Sequence, residues 1–84
     1  MSKQPPLESF HLGRLSVAVW KRRKKNGEHF LVVSGPSRPY KQGDKWKRSY
    51  DLATDEIRTG IELLRQAEAY MKQTEVDMLS INQP

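Results

Sequence analysis

The chain predicts an α+β domain, an antiparallel β-sheet of about four strands followed by one long amphipathic helix packed on one face. Three observations lead there. Leu15, Val17 and Val19 alternate with Ser16, Ala18 and Trp20, the period-two pattern of a half-buried strand. Asn26-Gly27 follows, the strongest short hairpin signal, because a type I′ turn needs positive φ at both central residues. From Ile57 onward apolar residues recur at helical spacing. Strands grouped before a helix indicate α+β with the helix covering one sheet face. The other face must then meet a partner subunit, a ligand or water.

Residues 1–9 are polar and proline-rich and read as a flexible N-terminal arm, so the domain is expected to span residues 10–73. From Phe10 the pattern changes, and the alternating run from Leu15 is the first clear strand. Phe30-Leu31-Val32-Val33 is the returning strand. With Asn26-Gly27 as a two-residue loop, Trp20 faces Val33, Arg22 faces Leu31 and Arg23 faces Phe30; a loop one residue longer or shorter would exchange the faces. Ser34 to Pro39 holds two prolines and a glycine and predicts a bend or irregular edge. Gln42-Gly43-Asp44 marks another turn, after which Trp46, Arg48, Tyr50 and Leu52 share one side of a strand.

Thr54 is positioned to cap a helix whose first turn carries Asp55 and Glu56, where the helix dipole favours negative charge. Ile57, Ile61, Leu64, Ala67 and Met71 form its expected sheet-facing row, and Leu63 and Tyr70 widen it toward a dimer contact. Gly60 in the interior suggests close packing on the sheet. The helix is expected to end near Gln73, with residues 74–84 a tail that either extends it or is disordered.

Charge divides the chain into two halves. Eleven of its 15 Lys and Arg residues fall between Arg14 and Arg48 against only two acids there, Glu28 and Asp44. After Tyr50 the sign reverses, to three basic and seven acidic residues. A cationic β half with aromatics among its cations, carried on an acidic helical half, suggests a surface for a polyanion. Five cations run together from Lys21 through Arg22, Arg23 and Lys24 to Lys25. They read as a hairpin arm gripping phosphates, the plainer alternatives being a solvated tip or, in a eukaryote, a nuclear import signal. Arg38, Lys41, Lys45, Lys47 and Arg48 extend the same bias.

Single-strand binders combine such cations with aromatic platforms on which bases stack. Tyr40 and Trp46 are the expected stacking rings, whereas Trp20, with Ala18 nearby and Val33 expected opposite, suits the core. The sequence offers no catalytic constellation. His11 and His29 have no carboxylate at ligand spacing, which argues against a metal site, and neither a nucleophile elbow nor a phosphate-cradling glycine loop is present. No cofactor and no small-molecule substrate are expected. Without cysteine the chain has no disulfide to staple a small core, so a homodimer is the expected support. No stretch approaches a membrane span and the N-terminus lacks a signal-peptide run, which predicts an intracellular protein, cytoplasmic or nucleoid-associated, or nuclear in a eukaryote.

The order of elements, with Leu12-Gly13-Arg14, the run from Leu15 to Trp20, Phe30 to Val33, and Lys47-Arg48 before Tyr50-Asp51-Leu52 and Asp55-Glu56, resembles the positive-cofactor-four family of single-stranded DNA-binding transcriptional coactivators. The resemblance spans about residues 12–71 and implies a dimer whose curved sheets grip single-stranded DNA. It further implies that Lys47 and Arg48 correspond to the family's basic pair on the DNA-contacting strand, and Tyr40 to an aromatic of its binding face. The segment Arg38-Pro39-Tyr40-Lys41, Trp46 and the five-residue basic run have no obvious family equivalent. The expected function is therefore nucleic-acid binding, with single-stranded DNA favoured over duplex DNA or RNA, in transcription or DNA maintenance. The alternative is a protein-interaction module whose basic β face docks an acidic partner.

Overall fold

Four strands run as an antiparallel meander in spatial order β1-β2-β3-β4: β1 Glu8–Leu12, β2 Leu15–Arg23, β3 His29–Gln42 and β4 Lys45–Ser49. A short 3₁₀ turn, Thr54–Glu56, leads into a single helix, α1, Ile57–Ile81. This computed structural model describes residues 5–81; the first four residues of the expected arm and the last three of the expected tail lie outside the described residues. The α+β architecture is the one the sequence predicts. Among the described residues no helix is long and apolar enough to cross a membrane.

Both short hairpins close on a two-residue turn with glycine first. Gly13 (φ 60°) joins β1 to β2 and Gly43 (φ 63°) joins β3 to β4, each followed by a residue at negative φ, the signature of a type II′ turn. The first strand begins at Glu8, inside the expected arm, and the Leu7 N–H already donates to the Val19 carbonyl at 2.8 Å.

The central hairpin differs from the expectation by one residue. The Lys24 N–H donates to the Glu28 carbonyl (2.7 Å) and the Gly27 N–H to the Lys24 carbonyl (3.0 Å), so the loop is Lys25-Asn26-Gly27. The Asn26 side-chain oxygen accepts the Glu28 N–H at 3.0 Å, and Gly27 takes the positive φ of a glycine bulge. Asn26 has no positive φ, so the type I′ geometry is not used. Trp20 consequently pairs with Val32, Arg22 with Phe30 and Arg23 with His29, and the strand faces are exchanged relative to the two-residue loop.

The proline-rich segment does not break the sheet. β3 passes through it as one strand, with an extra residue between the Ser16–Ser37 and Ala18–Ser34 pairs. Gly35 absorbs that bulge at φ 103°, where a Cβ would lie 2.7 Å from the Ser16 carbonyl oxygen, so no other residue fits without backbone movement. Above the bulge β3 pairs with β2; below it, from Arg38 to Gln42, it pairs with β4.

The core lies between one sheet face and α1. It consists of Leu15, Val17 and Val19 of β2, Leu31 of β3, and Leu63 and Ala67 of the helix. The Phe10 ring meets Tyr70 edge-on at 6.0 Å. The row turned to the sheet is thus Gly60, Leu63, Ala67 and Tyr70; of the expected row Ala67 is buried and Met71 packs against the core, while Ile57, Ile61 and Leu64 stay exposed. Gly60 explains the choice. A Cβ there would sit 3.2 Å from Pro36 Cγ and 3.3 Å from a Leu52 methyl, so the helix approaches most closely along the glycine's own row. The helix continues past Gln73 to Ile81. Thr54 makes no side-chain cap; Ala53 holds that position, and its N–H donates to the Glu56 carboxylate at 3.0 Å.

Candidate nucleic-acid interface

Alternation along β2 sends Ser16, Ala18, Trp20 and Arg22 away from the helix, because Leu15, Val17 and Val19 point into the core. The pairings carry this open face across the sheet. Phe30 lies opposite Arg22 and Ser37 opposite Ser16, while Lys41 lies opposite Trp46. Among the described residues no strand residue of this face is acidic. Glu28, at the hairpin tip, lies 3.8 Å from Lys24.

The face has three zones. At the hairpin end, the Arg22 guanidinium sits 5.3 Å from the Trp20 ring centroid and the Lys24 ammonium 5.8 Å from that of Phe30, both within cation–π range. In the middle, Ser16, Ala18, Ser34 and Ser37 form a floor of small side chains. At the far end stand Trp46, 69% exposed, and Lys41; Arg48 and Tyr50, the latter 67% exposed, lie between them and the floor. Arg22 lies six residue steps from Ser16, and Lys41 four steps from Ser37. At about 3.3 Å per residue the face is roughly 30 Å long, enough for several nucleotides.

Arg48 ties the middle to the far end. Its Nε donates to Ser37 Oγ at 2.9 Å and its Nη2 to Ser16 Oγ at 2.6 Å, so the side chain reaches from β4 across β3 to β2. Two hydroxyls, rather than a carboxylate, hold the guanidinium, and its positive charge stays available. A cleft of about 320 Å³ opens beside it, bounded by His11, Trp20 and Tyr50.

The expected site residues are divided between the two faces. Arg22, Lys24, Lys41, Trp46 and Arg48 share the open face. Lys21, Arg23, Arg38, Tyr40, Lys45 and Lys47 alternate to the helix side, so Lys47 and Arg48 point in opposite directions and Tyr40 does not stand beside Trp46. Lys25 lies in the hairpin loop. Trp20, expected in the core, is half-buried on the open face, where its Nε1 donates to Ser34 Oγ at 2.8 Å. Phe30 and the serine floor were not anticipated, and Tyr50, which the sequence places on one strand side with Trp46 and Arg48, was not among the expected site residues. The alternation of Ser16 with Leu15 and Val17 was the available signal for the floor.

Arg38 is occupied elsewhere. Its Nε lies 3.8 Å from the buried Glu56 carboxylate, which also accepts from Arg14 Nη2 at 3.0 Å. The Ala53 N–H holds the Glu56 carboxyl below its ordinary titration range; burial opposes this and the charges of Arg14 and Arg38 reinforce it. This cluster clamps the helix start to the β1–β2 turn and to β3. It belongs to the fold rather than to the open face.

The open face therefore offers rings for stacking and cations for phosphates, spaced around a small-residue floor. Among the described residues no group of three or more His, Asp or Glu side chains is placed to hold a metal. No family model, no curated protein and no solved structure matches this chain.

Proposed function

We propose that this chain is a non-enzymatic nucleic-acid-binding module that lays a single DNA strand across the open face of its sheet with little sequence selectivity. One observation carries the reading. Aromatic and cationic side chains are paired at both ends of a face that carries no strand acid among the described residues, and its middle is small enough to let a strand lie close. Stacking on Trp20, Phe30, Trp46 and Tyr50 requires unpaired bases, which favours single strands over duplex. Arg22, Lys24 and Lys41 would take phosphates, and Lys21, Arg23, Lys25, Lys45 and Lys47 would add a weaker field from the helix side and the loop. Such an activity belongs inside the cell, in transcription or DNA maintenance.

The module would act as a homodimer. Among the described residues its core has six buried apolar side chains, while Ile57, Ile61 and Leu64 form an exposed row on α1. A second copy placing the same row across a twofold axis would bury it. Sedimentation at tens of micromolar (an order of magnitude at which dimers of this kind persist) should show a dimer, and Ile61→Glu should convert it to a monomer. A wild-type monomer would end that part of the proposal.

Fluorescence anisotropy with matched single- and double-stranded oligonucleotides at several salt concentrations tests the main reading. Tighter single-strand binding that survives moderate salt is expected. Equal, steeply salt-sensitive binding to both would leave only a cationic surface, and no binding to either would favour an acidic protein partner.

A further inference from the structure

Arg48 has a feature that a nonselective groove does not need: its guanidinium is fixed in place before any ligand arrives. We propose that Arg48 reads a base, and that the cleft beside it takes one guanine and so sets the register of the bound strand. The proposal rests on the single-strand reading above and deepens it.

A guanidinium presents hydrogen-bond donors along two useful edges. The edge made by Nε and Nη2 is already committed to Ser37 and Ser16, at 2.9 and 2.6 Å. The terminal edge, with one N–H from each of Nη1 and Nη2, is left for a bidentate acceptor. Two acceptors on a nucleic acid have that spacing, the O6/N7 edge of guanine and a pair of phosphate oxygens. Position separates them. Arg48 is held against the floor by two short serines, and the adjoining cleft of about 320 Å³ is bounded by Trp20 and Tyr50. With bases stacked on those rings over the floor, the sugar–phosphate chain would be left to the flexible lysines at the two ends of the face, Lys24 beside Phe30 and Lys41 opposite Trp46. A cation on the floor therefore meets a base edge. Among the described residues no carboxylate lies within ion-pair distance of Arg48, so nothing competes for its terminal edge.

Among the described residues the rest of the face has no comparably fixed donor. Trp20 Nε1 is spent on Ser34, and the lysines are flexible point charges. Selectivity is thus confined to one position of an otherwise tolerant groove.

The test compares three oligonucleotides by anisotropy: oligothymidylate, the same oligomer with one central guanine, and the same oligomer with one central adenine. The guanine oligomer should bind about tenfold tighter than the other two, the discrimination of one bidentate contact. The preference should vanish in Arg48→Lys and in the Ser16→Ala/Ser37→Ala double variant, which keeps the arginine but frees it to swing. Equal affinity for all three oligomers would overturn the base-reading role and leave Arg48 a phosphate contact. Equal gains from adenine and guanine would overturn it in favour of purine stacking, and a guanine preference that survives both variants would place the reading elsewhere. If none of the three binds, the single-strand reading itself fails and takes this inference with it.

Discussion

One strand, β2, supplies both halves of this molecule. Its odd-numbered residues Leu15, Val17 and Val19 are almost fully buried against α1, while Ser16, Ala18, Trp20 and Arg22 face away from the helix. Where α1 packs on it the covered face is apolar and closed by an ionic clamp at Glu56, with Lys21, Arg23, Lys45 and Lys47 exposed on the same side; the open face joins its cations to aromatics and is free of strand acids. A period of two therefore separates stability from binding within a single nine-residue element. Substitutions on one face should change folding and leave the folded protein's affinity alone, and those on the other should do the opposite.

The largest expected effect is on the covered face. Leu63→Ala removes a fully buried side chain from the helix–sheet contact and should cost about 2–5 kcal/mol in urea unfolding. The fraction that remains folded should bind single strands as before. Loss of affinity by the folded protein would mean that the two faces are coupled. On the open face, Trp46→Ala should lower single-strand affinity by about 1–3 kcal/mol if one base stacks there. The ring is 69% exposed, so unfolding should move by no more than about 0.5 kcal/mol. A stability loss as large as the binding loss would break the division.

Acid sharpens it further. Because the folded state lowers the Glu56 pKa, the clamp stabilises the protein above the ordinary glutamate range, and that contribution is lost as pH falls through and below it. Glu56→Gln should be less stable than wild type at neutral pH, and the gap should narrow in acid. A gap that stays constant with pH would show that the clamp contributes through packing alone. The smallest effects come from neighbours in the basic run. Arg22→Gln, on the open face, should reduce the salt slope of single-strand binding by about 0.7, one phosphate's worth. Lys21→Gln, one residue away on the helix side, should leave the slope nearly unchanged. Equal changes would mean that the run acts as an undivided charged tip.

Much of the covered face was legible in the sequence, because Leu15, Val17 and Val19 alternate cleanly and Gly60 marks a close approach. The row of α1 that meets the sheet was not, since Ile57, Ile61 and Leu64 carry as much apolar surface as Leu63, Ala67 and Tyr70. Only the packing of Gly60 on Pro36 and Leu52 selects between them. The open face was harder to read. Runs such as Lys21-Arg22-Arg23 and Lys47-Arg48 look like single features, yet alternation turns their members to opposite sides. The hairpin register depended on one side chain, Asn26, bonding forward to Glu28. The brace of Arg48 on Ser16 joins residues 32 apart, a contact that local sequence does not reveal.

Both tryptophans of the chain, Trp20 and Trp46, lie on the open face, so their fluorescence reports on that face alone. The decisive measurement is a titration of that fluorescence with oligothymidylate and with a matched duplex, with anisotropy recorded in parallel to count bound protein. Bases stacking on the open face predict strong, saturable quenching by the single strand that tracks the anisotropy, and little quenching by duplex. Single-strand binding seen by anisotropy with unchanged tryptophan emission would place the nucleic acid elsewhere on the molecule and contradict the account.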